Sequence, residues 1–161
     1  MPLAPAPQPH RDPIQGVLEH SPARVLVADD NVISQRAALR MLGSLGLRAD
    51  VSANGREAVE MLLTLPYDLV LMDCQMPLMN GLEAAIEIRK LEPPDRHTPI
   101  VAMTAETGAA CLDDCLASGI DDILLKPVRI ETLRAAVLRW LPSEPVLPAG
   151  IPHARTHTFV P

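Results

Sequence analysis

One stretch decides the fold, and it reads Leu69-Val70-Leu71-Met72-Asp73-Cys74-Gln75-Met76-Pro77-Leu78-Met79-Asn80-Gly81. An apolar run that stops at an acid, followed by Pro and by Asn-Gly, predicts a strand buried on both faces and then a loop. Open α/β sheets bind ligands at the carboxyl ends of their strands, which is where Asp73 falls. Taken alone, the stretch fits two interpretations equally well: an acid that binds or reacts, or an acid that only caps the next helix.

Strand-like and helix-like patterns alternate five times around this stretch. Strands are predicted at residues 24–28, 47–52, 69–73, 99–104 and 121–125, and helices at 32–45, 55–64, 81–90, 106–118 and 130–141. In the first two helices, the apolar positions expected to face the core are Ile33, Ala37, Ala38, Met41, Leu42, Leu45, Ala58, Val59, Leu62 and Leu63. This alternation predicts an α/β domain with a parallel sheet.

Composition limits what the chain can be. Its 161 residues allow one domain with tails, and with 48% hydrophobic but only 2% aromatic residues the core must be aliphatic. We expect a domain at 23–142, between Pro-rich segments at 1–22 and 143–161 that lack periodicity and are predicted to be disordered. The net charge of −6 argues against nucleic acid as a partner.

Neither a membrane span nor a signal peptide is expected, because no apolar run is long enough for a span and the first residues lack an apolar centre. The three cysteines, Cys74, Cys111 and Cys115, are too few for a disulfide framework. We interpret them as small buried side chains, with a redox pair as the alternative. A reducing, cytoplasmic location fits this composition.

Polar side chains stand where the apolar strands stop. The first strand leads into Asp29 and Asp30, the third ends in Asp73, the fourth in Thr104, and the fifth runs into Lys126. Because the carboxyl ends of parallel strands share one edge of the sheet, these five side chains can gather in one pocket. A strand order of 2-1-3-4-5 would place the first and third strands side by side at the point where the order reverses.

Three carboxylates gathered this way would raise one another's pKa values unless a cation were present. Mg²⁺ suits such a site because it takes few carboxylates and often shares phosphate oxygens. Lys126 and Thr104 suit a phosphoryl group, and one aspartate could then be the nucleophile, since aspartates form aspartyl phosphates. The alternative is a buried Lys–Asp network that only holds the loops together.

From residue 25 to residue 141 the sequence resembles the receiver (CheY-like) domain of two-component response regulators. The segments that carry the resemblance are Asp29-Asp30-Asn31, the stretch from Met72 to Gly81, Thr104-Ala105, Gly119-Ile120-Asp121-Asp122 and Lys126-Pro127. The motif Asp-Cys-Gln-Met-Pro is most similar to the corresponding motif in receivers attached to hybrid sensor histidine kinases. The resemblance implies a flavodoxin-like fold with five parallel strands in the order 2-1-3-4-5 and five helices.

The resemblance also implies a phosphorelay function. Asp73 would accept a phosphoryl group from a phosphohistidine, so the implied partners are a histidine kinase or a histidine phosphotransfer domain. Asp30 and Asp73 would bind Mg²⁺ directly, together with the backbone carbonyl of Gln75, and Asp29 would act largely through water. Such a domain assists its own phosphorylation and dephosphorylation without being a turnover enzyme on a separate substrate.

The resemblance further implies that Lys126 pairs with the phosphoryl group, that Thr104 moves towards it, and that the peptide bond to Pro127 is cis. One position departs from the family, since Ile123 stands where a Tyr or Phe usually changes rotamer with the Thr. We therefore expect the phosphorylation chemistry to survive and the output to rely on Thr104 and the loop after the fourth strand. No helix-turn-helix pattern follows the last helix, so we expect output by protein contact or onward phosphotransfer.

Two other functions remain open from the sequence. A haloacid-dehalogenase-like phosphatase also uses an Asp nucleophile with Mg²⁺, but it needs a second Asp where Gln75 stands. A pseudo-receiver would bind partners without being phosphorylated, which the intact set of Asp, Thr and Lys residues argues against.

Overall fold

The computed structural model describes residues 23–141, so the disorder predicted for residues 1–22 and 143–161 lies outside the described residues. The elements in chain order are β1 Arg24–Ala28, α1 Val32–Ser44, β2 Arg48–Ser52, α2 Gly55–Thr64, β3 Leu69–Asp73, α3 Gly81–Leu91, β4 Ile100–Thr104, α4 Ala109–Ala117, β5 Asp122–Leu125 and α5 Ile130–Trp140. All ten predicted elements are present. Within this part of the chain, no helix combines the length and the apolar character needed to cross a membrane.

The five strands form one parallel sheet in the order β2-β1-β3-β4-β5, which confirms the predicted α/β fold and strand order. Every residue of β3 and β4 is buried, as their continuous apolar runs require. In the register between β1 and β3, Ala28 lies opposite Met72. The next residues along the two strands, Asp29 and Asp73, are therefore brought side by side at the carboxyl edge.

Helices cover both faces of the sheet, because side chains along each strand point alternately to one face and the other. Val25 and Val27 of β1 pack with α1 and α5, whereas Leu26 and Ala28 pack with α2, α3 and α4. The core is aliphatic, as predicted, and each fully buried Leu or Val contributes roughly 1.5–3 kcal/mol of burial free energy. Two apolar layers thus fix the strand ends that carry the polar residues.

Asparagine side chains begin the helices that follow the first three strands. Asn31 Oδ1 accepts hydrogen bonds from the amides of Ile33 and Ser34, and Asn54 Oδ1 accepts one from Glu57. Asn80 and Glu83 form a reciprocal capping box at the start of α3. Each of these three strand-to-helix loops therefore has a defined end, which orders the surroundings of the polar cluster.

The structure corrects some of the predicted helix faces. In α1, Ala38 and Leu42 are buried, whereas Ile33 is 79% exposed and Ala37 is also exposed. In α2, Leu63 is likewise exposed, although the pattern predicted it to face the core. The physical reason is that each helix buries only one narrow column against the sheet, and neighbouring apolar columns lie about 100° away on the helix surface.

The start of α4 is also corrected, from residue 106 to Ala109. The residues between β4 and α4 begin in a turn in which Thr104 Oγ1 accepts a hydrogen bond from the Glu106 amide. A hydroxyl that binds the backbone two residues on competes with helix formation, so the helix begins later than the apolar pattern suggests.

Candidate functional site

The five residues predicted from the strand ends line a single cleft at the carboxyl edge of the sheet. The cleft has a volume of about 790 Å³ and includes Asp29, Asp30, Asp73, Thr104 and Lys126 among its lining residues. The loops after β1, β3 and β4 form its walls. The topology therefore brings together every polar side chain singled out at a strand end.

Three carboxylates meet in this cleft. Asp29, Asp30 and Asp73 each offer an oxygen, and these three oxygens lie within 4.8 Å of one another. Asp29 and Asp73 are buried, whereas Asp30 is exposed at the mouth. Carboxylate oxygens in this arrangement are the ligands that a hard divalent cation prefers.

Lys126 is the positive charge of the cleft. Its Nζ lies 2.9 Å from Asp73 Oδ2 and 3.2 Å from Asp29 Oδ2. Burial on its own would lower the pKa of Lys126, but the hydrogen bond and charge of Asp73, and then those of Asp29, outweigh it and raise this pKa. The lysine follows β5 directly and precedes a cis peptide bond to Pro127, as the family resemblance implied.

Asp73 is held by groups on both sides of its carboxylate. Oδ1 accepts a hydrogen bond from the Gln75 amide at 3.1 Å, and Oδ2 faces Lys126. Burial raises the pKa of Asp73, and the Asp29 charge adds to this, while Lys126 and the Gln75 amide oppose it; the net shift is upward. The start of α3 packs closely against the Asp73 backbone: a Cβ at Gly81 would collide with the Asp73 carbonyl oxygen.

Thr104 and its neighbours form a connection that the sequence reasoning missed. Thr104 is buried, and its Oγ1 accepts the Glu106 amide hydrogen at 3.0 Å. The Glu106 carboxylate in turn accepts a hydrogen bond from Gln75 Nε2 at 3.3 Å, so the loops after β3 and β4 are linked across the cleft. The signal that could have found Glu106 is its position two residues after Thr104, the spacing of a local hydroxyl-to-backbone turn.

Three thiols lie close together at the cleft: Cys74 lines it, and Cys111 and Cys115 belong to the core cluster behind it. Cys115 is buried, and Cys74 and Cys111 are half-buried against the same core cluster. Burial, followed by the neighbouring Cys115 thiol, raises the pKa of Cys74 to about 12. Thiols with raised pKa values stay protonated at neutral pH and react slowly, which fits the interpretation of small buried side chains better than that of a redox pair.

The arrangement as a whole suits phosphoryl chemistry. A carboxylate at the end of a rigid buried strand can act as a nucleophile, and a lysine beside it can neutralise charge on a transferred group. The adjacent acids supply hard oxygen ligands for Mg²⁺. A network that only holds loops together does not require an open cleft or an exposed acid at its mouth.

Comparison with known proteins places the chain in a family. The model of the response regulator receiver domain matches residues 25–138. The hybrid signal transduction protein dokA of Dictyostelium discoideum is 39% identical over 120 residues, which cover 74% of this chain and 7% of dokA. The chain therefore spans only a small part of the length of this curated relative.

Two solved structures are similar in sequence and in fold. The receiver domain of sensor histidine kinase PA1611 from Pseudomonas aeruginosa, with magnesium coordinated in its active-site cleft, has 36% identity and a TM-score of 0.68, over 74% of this chain and 98% of that one. The receiver domain of Saccharomyces cerevisiae Ssk1, solved with the histidine phosphotransfer protein Ypd1, has 32% identity and a TM-score of 0.68, over 73% and 88%. With its sheet order and its matched residues, this chain belongs to the response regulator receiver domains of two-component signalling.

Proposed function

We propose that Asp73 is the phosphoacceptor of this receiver domain and that it takes its phosphoryl group from a phosphohistidine of a partner protein. The observation that carries the proposal is the position of Asp73, buried at the end of β3 with Lys126 Nζ 2.9 Å from its carboxylate. The other two acids lie at the same cleft within reach of one cation.

Mg²⁺ is the proposed cofactor. Asp30 and Asp73 would bind it directly together with the backbone carbonyl of Gln75, and Asp29 would act largely through water. The donor set fits, because three carboxylate oxygens within 4.8 Å of one another are hard ligands and carry more negative charge than Lys126 alone neutralises. Bound Mg²⁺ would neutralise charge on the phosphoryl oxygens. The magnesium ion in the PA1611 receiver supports this assignment by similarity.

In the proposed reaction, an Asp73 oxygen attacks phosphorus, the P–N bond of the phosphohistidine breaks, and the imidazole leaves with the electron pair of that bond and takes up a proton. Lys126 then exchanges part of its interaction with Asp73 for the phosphoryl oxygens. The rigid end of β3 and the Gln75 amide orient the nucleophile, so the chain supplies positioning and charge rather than a separate acid or base. The protein is phosphorylated in this step and is not a turnover enzyme.

The donor is proposed to dock on apolar residues that surround the cleft. Val32 and Leu78 are exposed and directly follow the cleft-lining residues Asn31 and Pro77 in sequence. The exposed Ile33 lines a groove of about 500 Å³ between α1 and the loop that carries Lys126. Exposed apolar patches of this kind mark protein interfaces. A histidine kinase or a histidine phosphotransfer domain is therefore the proposed partner, as Ypd1 is for Ssk1.

The net charge of −6 disfavours nucleic acid as a partner, and a cytoplasmic location is proposed from the composition.

Output is proposed to run through Thr104 and Glu106, because Ile123 offers no ring that could switch. For the Thr104 hydroxyl to turn towards a phosphoryl group, it must give up its hydrogen bond to the Glu106 amide, which frees the loop before α4. With beryllium trifluoride as the phosphoryl mimic, the amide resonance of Glu106 should shift in nuclear magnetic resonance spectra. In Thr104→Ala the shift should be lost, and an equal shift in that variant would refute the route.

The proposed function is tested with acetyl phosphate and Mg²⁺. A labile mass increase of one phosphoryl group is expected in the wild type and not in Asp73→Asn, and it should require Mg²⁺. Asp95→Asn, at an exposed acid in the loop before β4, is the matched control and should label normally. Labelling that persists in Asp73→Asn, or its absence from the wild type, would overturn the assignment, the second result favouring a pseudo-receiver. Sustained hydrolysis of many phosphate esters would favour a phosphatase.

A further inference from the structure

Asp30 is the least restrained acid of the phosphoacceptor cleft. It is exposed at the mouth, and among residues 23–141 its carboxylate has no hydrogen-bond or ion-pair partner. Asp73, by contrast, is held by Lys126 and by the Gln75 amide. The position of the Asp30 carboxylate therefore depends on the backbone that carries it, so the contacts that fix this backbone also decide where a cation ligand lies.

The preceding residue, Asp29, is fixed at its amide, its carbonyl and both carboxylate oxygens. Its amide donates to the Ser52 carbonyl at 3.1 Å, and its carboxylate accepts hydrogen bonds from the Asn31 amide at 2.8 Å and from Lys126 Nζ at 3.2 Å. Its backbone carbonyl oxygen accepts a hydrogen bond from Gln35 Nε2 at 2.7 Å. Asp29 thus forms a rigid base for the loop that follows β1.

The hydrogen bond from Gln35 is the contact that bears on Asp30. The Asp29 carbonyl and the Asp30 amide belong to one planar peptide unit, so fixing the carbonyl also fixes the plane from which the Asp30 Cα departs. Gln35 is itself held in the first turn of α1, where its amide donates to the Asn31 carbonyl at 2.9 Å. One side chain therefore spans the loop of Asp29, Asp30 and Asn31 and connects it to the helix.

The chemistry of Gln35 suits a place beside a cation site. Its side-chain amide is neutral, so it holds the Asp29 carbonyl without adding a positive charge that would repel a divalent cation, as a lysine would. A different interpretation is that this hydrogen bond only satisfies the Asp29 carbonyl and contributes to folding stability alone. The two interpretations differ in what they predict for the affinity of the cleft for Mg²⁺.

We propose that Gln35 is a positioning residue for Mg²⁺. It holds the Asp29–Asp30 peptide so that the Asp30 carboxylate lies among the cation ligands of the cleft, where one oxygen of each of the three acids is within 4.8 Å of the others. Without the hydrogen bond from Gln35, the cation must order this loop when it binds, which lowers its affinity. This role rests on the proposed function, since Gln35 can position a ligand only if the cleft binds Mg²⁺.

Calorimetric titration of the full chain with Mg²⁺ tests this role. Gln35→Met removes the donor and keeps a side chain of similar length, and we expect it to raise the Mg²⁺ dissociation constant about tenfold, as loss of a partner that orients a metal ligand does. Ser44→Ala is the matched control, because the Ser44 hydroxyl also donates to a backbone carbonyl, that of Met41 at 2.7 Å, at the far end of α1. The control should bind Mg²⁺ as the wild type does, and an unchanged dissociation constant in Gln35→Met would overturn the proposal.

A second variant, Gln35→Ala, separates the hydrogen bond from the packing of the Gln35 stem. Both variants lack the donor, so both should raise the dissociation constant by the same factor, and a loss of affinity confined to Gln35→Ala would overturn the proposal. The carbonyl resonance of Asp29 in nuclear magnetic resonance spectra gives a readout without metal. In chelator it should shift in both Gln35 variants and not in Ser44→Ala, and an unshifted resonance would refute the hydrogen bond itself.

Labelling by acetyl phosphate distinguishes positioning from a role in folding alone. In Gln35→Met the Mg²⁺ concentration for half-maximal labelling should rise about tenfold while the rate at saturating Mg²⁺ stays within about twofold of the wild type, because bound cation draws Asp30 back into place. A lower rate at saturating Mg²⁺ with an unchanged half-maximal concentration would overturn the proposal. A wild type that neither binds Mg²⁺ nor becomes labelled would overturn the proposed function, whereas equal binding and labelling in the two proteins would refute only the role of Gln35.

Discussion

Lys126→Met removes the positive charge of the phosphoacceptor cleft while keeping most of the side-chain stem. In the wild type, Lys126 Nζ lies 2.9 Å from Asp73 Oδ2 and 3.2 Å from Asp29 Oδ2. The variant leaves two buried carboxylates side by side with an exposed third acid and no cation among the cleft residues. Removing one partner of a buried ion pair is costly because the remaining charge keeps its desolvation penalty.

The size of the loss follows from how deeply the pair is buried. Breaking a fully buried pair costs about 3–5 kcal/mol, but the Lys126 side chain is 27% exposed and partly screened by water. We therefore expect the free energy of unfolding to fall by about 2–3 kcal/mol in buffer with a chelator. Mg²⁺ should narrow this difference in stability, because the three carboxylates bind the cation more tightly once the competing lysine charge is gone. Each tenfold gain in Mg²⁺ affinity stabilises the variant by about 1.4 kcal/mol relative to the wild type.

The assay is urea unfolding of the wild type and Lys126→Met, each with a chelator and with Mg²⁺. The chain contains one other lysine, Lys90, whose exposed side chain is 3.5 Å from Glu87 on the surface of α3. Lys90→Met is thus the matched control, with an expected loss below about 0.5 kcal/mol. Equal stability of Lys126→Met and the wild type in chelator, or a difference in stability that Mg²⁺ leaves unchanged, would contradict this role of Lys126.

Three further predictions follow from the packing and the titrating groups. Gly81→Ala should lower the free energy of unfolding by about 1–3 kcal/mol in urea titrations and slow labelling by acetyl phosphate, because the added Cβ would collide with the Asp73 carbonyl oxygen. Unchanged labelling would contradict the close approach of Gly81 to the Asp73 backbone. Tyr67, the single tyrosine, should ionise near pH 12 in the folded chain and near 10 in urea by ultraviolet absorbance, because burial and then the hydrogen bond to Asp50 raise its pKa to about 12. Its contribution to stability is therefore complete below pH 10 and is lost as the pH rises towards 12, and Asp50→Asn should lower the folded-state pKa. Leu71→Ala, at a fully buried position of β3, should cost about 2–5 kcal/mol in urea titrations yet leave the folded fraction able to be labelled.

The fold and the polar cluster could be predicted from the sequence because both depend on the same pattern. A strand buried on both faces must be apolar throughout, so a charged residue at its end stands out, as Asp73 does after Leu69–Met72. Parallel topology then brings Asp29 and Lys126 to the same edge, whatever the details of packing. Each of these features can be recognised from a few consecutive residues, because an apolar strand and the polar residue at its end are adjacent in the sequence.

Contacts between loops could not be predicted in this way. The hydrogen bond from Gln75 to Glu106 joins residues 31 positions apart, and it depends on how two loops lie across the cleft. The late start of α4 has the same origin, because the Thr104 hydroxyl holds the Glu106 amide outside the helix. Neither feature leaves an apolar pattern, so only the folded chain reveals them.

The predicted helix faces were also partly wrong, and the residues that are exposed instead of buried bear on function. Periodicity shows that a helix has more apolar columns than it can bury against one sheet, but it does not show which column stays open. In α1 the open column includes Ile33, which lines the groove beside Lys126, and in α2 it includes Leu63, at the opposite edge of the sheet. Departures from a local rule are expected where a chain serves something besides its own core. Each of these exposed residues lines a groove, and the apolar surplus of α1, which lies beside Lys126, fits a contact with the phosphoryl donor.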